Sequence, residues 1–106
     1  MLQSGTAVVF LRDISEAREA RILLEQSDWK VVVISEPIPI SGGLMIIDEH
    51  LLHALHEQAV TLLPGGRLII VADNAAGKTS GLIAPEVYML YRPHTAAQLE
   101  MACQVD

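Results

Sequence analysis

From Thr6 to Leu11 the chain is a nearly unbroken apolar run closed by Arg12-Asp13, the pattern of a strand buried on both faces. Ala17, Ala20 and Leu24 then recur at helical spacing, with Glu16, Arg18, Glu19, Arg21 and Glu25 on the remaining faces, which predicts an amphipathic helix. Lys30 to Ile34 is dense in β-branched residues and reads as a second strand. Pro37-Ile38-Pro39-Ile40-Ser41-Gly42-Gly43 carries two prolines and two glycines and cannot be helical. Leu44 to Ile47 predicts a third strand, Leu51 to Leu63 a helix stopped by Pro64-Gly65-Gly66, Leu68 to Ala72 a fourth strand and Val87 to Tyr91 a fifth. Thr95 to Gln104 closes the chain as a helix with Leu99, Ala102 and Cys103 facing inward.

Strands that alternate with helices and are themselves almost wholly apolar predict an α/β fold with a parallel sheet covered on both faces. Right-handed crossovers make that a doubly wound, flavodoxin-like sheet of five strands, its second helix replaced by the proline-containing loop, with function expected at the carboxyl ends of the strands.

Composition narrows the class. The 106 residues, about half of them apolar, make one domain spanning 1–106. A net charge of −6 argues against nucleic acid as a partner, which needs a basic face. No apolar run reaches the roughly 18 residues of a membrane span, so direct membrane insertion is not expected. Met1-Leu2-Gln3-Ser4-Gly5 has no basic stretch of a secretory leader, and the single Cys103 fits a reducing, cytoplasmic setting.

Asp48 ends the third strand in Gly43-Leu44-Met45-Ile46-Ile47-Asp48-Glu49. Together with Asp13-Ile14-Ser15-Glu16-Ala17-Arg18, the step Ser27-Asp28-Trp29-Lys30-Val31, and Tyr91-Arg92-Pro93-His94 followed by Leu99, it resembles the receiver domains of response regulators. That resemblance spans nearly the whole chain and implies Asp48 at the phosphoacceptor position. It also shows three departures: Arg12 replaces the first of the paired metal-binding acids, Ala72 the strand-four hydroxyl, and Arg92 the strand-five lysine. A working site of that family would carry three carboxylates and one ammonium, for a net of −2. Here Asp13 and Asp48 are balanced by Arg12 and Arg92. Each guanidinium–carboxylate pair at ~4 Å is worth roughly 4 kcal/mol of Coulomb energy before desolvation, so a divalent cation gains little from the cluster. The resemblance therefore implies a degenerate receiver, or pseudo-receiver. The loop in place of helix two is similar to the α/β domain between kinase core and receiver in Rcs-type hybrid sensor histidine kinases. That kinship would make the chain a fragment of a larger, membrane-anchored kinase, with the domain itself non-catalytic.

Three functions stay open. The first is a non-catalytic interaction domain of a phosphorelay protein, whose partners are other domains of a sensor kinase or response regulator, or a second copy in a homodimer. The second is an active receiver in which Asp48 accepts phosphate beside Asp13, Ala72 and Arg92, with magnesium as its cofactor on Asp13 and Asp48, and with Asp73 or Glu49 supplying the missing acid. The third is a small-ligand domain using a cleft near the loop at 37–42; no glycine fingerprint supports a dinucleotide there. The first reading requires no cofactor and no metal.

Other residues carry weaker signals. Asp13 followed by Glu16 reads as a capping box. His50, His53 and His56 recur at intervals of three and, with Glu49 or Glu57, offer zinc ligands, or a solvated face that titrates near neutrality. Gly77-Lys78-Thr79 looks like the tail of a phosphate loop, but Ala72 stands where the first glycine would be. Trp29 reads as a cap on the core beneath the first helix, and a cis bond is expected at Arg92–Pro93. Ile83, Tyr88 and Tyr91, beside the uncharged stretch Leu82-Ile83-Ala84-Pro85, are the expected interface.

Overall fold

The computed structural model describes residues 5–36, 38–53, 60–73, 80–92 and 94–103. The elements run β1 (Thr6–Phe10), α1 (Ile14–Gln26), β2 (Lys30–Val33), β3 (Ile40–Asp48), a 3-10 turn (Glu49–Leu51), β4 (Val60–Ala72), β5 (Gly81–Ala84), β6 (Val87–Tyr91) and α2 (Ala96–Cys103). The six strands form one sheet in the order β2-β1-β3-β4-β6-β5. All neighbouring pairs are parallel except β5 with β6.

The α/β class holds, but the sheet is mixed and six-stranded rather than parallel and five-stranded. The extra strand comes from the apolar stretch before β6. Pro85-Glu86 turns the chain back so that Ala84 faces Val87 and Gly81 faces Met89, and Leu82 and Ile83 suit an extended backbone.

β3 and β4 are also longer than their apolar runs. Ile40-Ser41-Gly42 pairs with Val60-Thr61-Leu62, and pairing resumes at Leu44 with Arg67. One residue of β3 thus faces four of β4, so Pro64-Gly65-Gly66 forms a bulge within a strand instead of a stop after a helix. Gly65 takes φ +79°, and a Cβ on Gly66 would lie 2.5 Å from the Gly43 carbonyl oxygen, so glycine is required at both positions. Of the expected helix from Leu51 to Leu63, residues 54–59 lie outside the described ones, the start is the 3-10 turn and the end is β4.

The period of two divides the core. Ala7, Val9, Leu44, Ile46, Ile69, Val71, Tyr88 and Leu90 point to one face, where Ala17, Ala20 and Leu24 of α1 and Leu99, Ala102 and Cys103 of α2 cover them. Val8, Phe10, Met45 and Ile47 point to the other, joined by Ile34 and by partly buried Val32, Leu51, Leu52, Leu68 and Ile70. Both described helices therefore serve the same face. Trp29 packs half-buried against the first cluster, as its position suggests.

Helix ends are set locally. Asp13 caps α1, accepting from Ser15 N (2.8 Å) and Glu16 N (3.2 Å). At the other end Asp28 is left-handed (φ 67°), Trp29 N donates to Leu24 O and Asp28 N to Glu25 O, a Schellman closure. Thr95 and Gln98 form a reciprocal capping box for α2 at 2.8 and 3.1 Å. Arg67 of β4 donates to the Ala102 carbonyl in its last turn.

Candidate functional site

The carboxyl ends of β1, β3, β4 and β6 place Arg12, Asp48, Asp73 and Arg92 at one edge of the sheet, and the first turn of α1 adds Glu16. Asp48 is the one buried charged residue among those described, at 1% exposure. Its Oδ1 accepts from the His50 backbone N (2.9 Å), which caps the 3-10 turn. Its Oδ2 accepts from Arg92 Nη2 (2.7 Å) and Arg12 Nε (3.3 Å). Burial alone would raise the Asp48 pKa, but these bonds outweigh it and hold the carboxyl below its usual range.

Arg92 is the hub. Its Nε and Nη2 fork onto Glu16 Oε2 (2.9 Å) and Oε1 (2.8 Å), Nη2 also reaches Asp48, and Nη1 reaches Asp73 Oδ1 (3.1 Å). Such a planar fork suits three carboxylates in a way that a lysine cannot. The hydrogen bond to Glu16 is the largest cause that raises the Arg92 pKa, so it stays charged. Glu16 is pulled the other way: burial opposes its ionisation, yet bonds from His94 and Arg92 prevail and lower it to about 2. His94 Nε2 lies 3.4 Å from Glu16 Oε2, and that bond raises the His94 pKa against the effect of burial; its Nδ1 is buried with no hydrogen-bond partner among the described residues.

On the outer side, Asp73 N donates to Glu49 Oε1 (3.2 Å), and His50 Nε2 lies 3.2 Å from Asp73 Oδ2 and 3.6 Å from Glu49 Oε1. A bond with His50, more than Arg92, lowers the Asp73 pKa. An open cleft of about 500 Å³, lined by Asp13, Ser15, Glu16, Glu19, Arg92 and His94, lies at the start of α1.

The expected site residues are thus partly assembled. Asp48, Arg12 and Arg92 converge, and Ala72 ends β4 with its side chain buried. Asp13 is spent on its cap, and no bond joins it to the Arg92 cluster among those the described residues make. Asp13 and Asp48 belong to no grouping of metal donors there either. Glu16 was not legible as a site residue, because its capping-box position explains it locally. The structure sends its side chain to Arg92 and His94 instead. The available signal was position: the first turn after β1 sits at the carboxyl edge of the sheet.

The expected interface needs correction. Tyr88 lies in the main core at 9% exposure, because even-numbered residues of β6 point toward the helices. Tyr91 is half-buried, its backbone N bonded to Ser80 Oγ (3.0 Å), so the exposed apolar surface there is Leu82 and Ile83. Cys103 is free and buried, its thiol pushed up to about 12 by burial, which makes it inert. His53 is exposed; His56, Glu57, residues 77–79 and the Arg92–Pro93 bond fall outside the described residues. No helix among the described residues is long and apolar enough to cross a membrane.

Comparison with protein-family models, with curated proteins and with solved structures finds no match for this chain.

Proposed function

We propose that this chain is a non-catalytic, cytoplasmic pseudo-receiver interaction domain of a phosphorelay protein of the hybrid sensor kinase type, acting by contact with neighbouring domains. The observation that carries the reading is the seat of Arg92. It occupies the centre of Glu16, Asp48 and Asp73, touching all three within 3.1 Å, where phosphoryl chemistry needs a divalent cation and an accessible carboxylate. Both oxygens of the buried Asp48 already hold donors. Mg²⁺ would have to displace a forked guanidinium whose charge is already matched.

The strand order gives further support. With antiparallel β5 set aside, the remaining strands run β2-β1-β3-β4-β6, the flavodoxin-like order, and Asp48 ends the middle strand of that set. Asp73 and Glu49 do reach the rim of the site, as an active receiver would want. Asp73, however, is engaged by Arg92 and His50.

A titration tests the proposal. The chain is mixed with Mg²⁺ and a fluoride complex that mimics a phosphoryl group, and the backbone amides of Asp48 and Ala72 are followed. No saturable shift is expected up to tens of millimolar Mg²⁺. Saturable shifts that vanish in Asp48→Asn would establish a phosphoaccepting switch instead.

A further inference from the structure

The outer rim of the Arg92 cluster holds donors of a different chemistry from its centre. His50 Nε2 stands 3.2 Å from Asp73 Oδ2 and 3.6 Å from Glu49 Oε1, and one donor atom from each residue lies within 4.8 Å of the others. Around a tetrahedral Zn²⁺ with bonds of about 2.0–2.1 Å, ligand atoms sit roughly 3.3 Å apart. The imidazole therefore already stands at ligand-to-ligand spacing from each carboxylate, and convergence of the two carboxylates, now within 4.8 Å, would close the shell.

Charge supplies a second, independent reason. Glu16, Asp48, Glu49 and Asp73 are four carboxylates, and Arg12 and Arg92 are the two guanidiniums bonded among them. Before His94 is counted, two negative charges are left over, and they fall on the outer side, where Glu49 has no arginine and Asp73 shares one. Asp73 is also pre-aimed: Arg92 holds Oδ1 (3.1 Å), which leaves Oδ2 turned to His50. Such outer contacts orient metal ligands in known sites.

We infer that Glu49, His50 and Asp73 form a three-ligand site for a divalent transition-metal ion, Zn²⁺ above all, with a fourth position open to water. An imidazole with two carboxylates favours zinc over magnesium, so the rim suits an ion while the Arg92-filled centre takes none. Glu49 and His50 come from the 3-10 turn and Asp73 follows β4, so the ion would tie the carboxyl ends of two neighbouring strands together. This inference does not rest on the docking role, since the magnesium titration reads Asp48 and the zinc titration reads the His50 ring.

The test is a calorimetric titration of the chelator-treated 106-residue chain with zinc chloride, alongside imidazole and amide spectra. One equivalent is expected to bind and to shift the His50 ring and the Asp73 amide. His50→Ala and Asp73→Asn should each weaken binding at least about tenfold, and His53→Ala should leave it unchanged. All three positions are exposed, and circular dichroism confirms that each variant is folded. A tenfold excess of Mg²⁺ should not displace the zinc. Absence of binding below about 1 mM zinc, or binding that survives His50→Ala or is lost in His53→Ala, would overturn the site.

Discussion

Arg92 shows how a single side chain can convert a would-be reactive edge into a structural joint. Three of its nitrogens reach three acids from α1, β3 and the end of β4, so it ties the helix to the sheet as well as neutralising Asp48. Burying Asp48 without that partner would leave its charge with only the longer contact to the exposed Arg12, a larger cost than losing an exposed pair. The same network gives stability a two-sided pH dependence. The pKa of Glu16 falls from 4.5 to about 2 in the folded chain. The stability it supplies is complete above about 4.5 and is lost as pH drops through about 2, a loss of about 3 kcal/mol. His94 works in the opposite sense. Its folded pKa lies above 6.5, so its contribution is complete below 6.5 and fades as pH rises through the folded value. Thermal melts should therefore peak between about pH 4.5 and 6.5. Because Glu16 is the leading cause of the His94 shift, Glu16→Gln should weaken both limbs. A Glu16→Gln variant with the parent acid limb would contradict this account of the network.

At the scale of elements, local chemistry and long-range pairing compete over the same residues. Pro64-Gly65-Gly66 reads locally as a stop, but the backbone of Ile40-Ser41-Gly42 offers hydrogen-bonding partners on the far side, and β4 begins at Val60 to meet it. The bulge accommodates the mismatch. Gly66 passes so close to β3 that an added methyl would meet the Gly43 oxygen at 2.5 Å and Leu63 O at 2.9 Å, whereas a methyl on Gly43 meets nothing within 4 Å. Backbone atoms cannot yield as a flexible side chain can. Gly66→Ala is thus expected to cost about 2 kcal/mol or more in urea unfolding, and Gly43→Ala to stay within about 0.5 kcal/mol. Equal costs would mean that the close approach does not constrain the bulge.

Across the whole molecule, the two sheet faces are unequal. One carries α1 and α2 over a broad core, while the described cover of the other is thinner, with Val32, Leu68 and Ile70 only partly buried. The β5 edge adds Leu82 and Ile83, at 57% and 63% exposure, on a strand with no charged residue. An exposed, uncharged edge strand is a template for pairing with another chain, which suits the proposed contact role. Ile83→Glu, at an exposed position on the edge strand, should leave the fold intact and abolish any self-association or domain association seen by sedimentation. Undiminished association in that variant would remove this edge from the interface.

Much of the architecture was written in the periodicity. The unbroken apolar runs of β1, β3 and β6, the helical spacing of Ala17, Ala20 and Leu24, and the Asp13 cap are local signals, and each reappears in the structure as an element buried where the pattern places it. Asp48 and Arg92 were legible as charges at strand ends, where an α/β sheet gathers its polar groups. Tertiary structure alone decided that the Glu16 side chain reaches Arg92, that Tyr88 belongs inside, and that β5 exists as a strand. The reason is common to all three. Periodicity and capping act over a few neighbours in sequence, whereas a buried carboxylate, a close glycine contact or an edge pairing depends on residues tens of positions away.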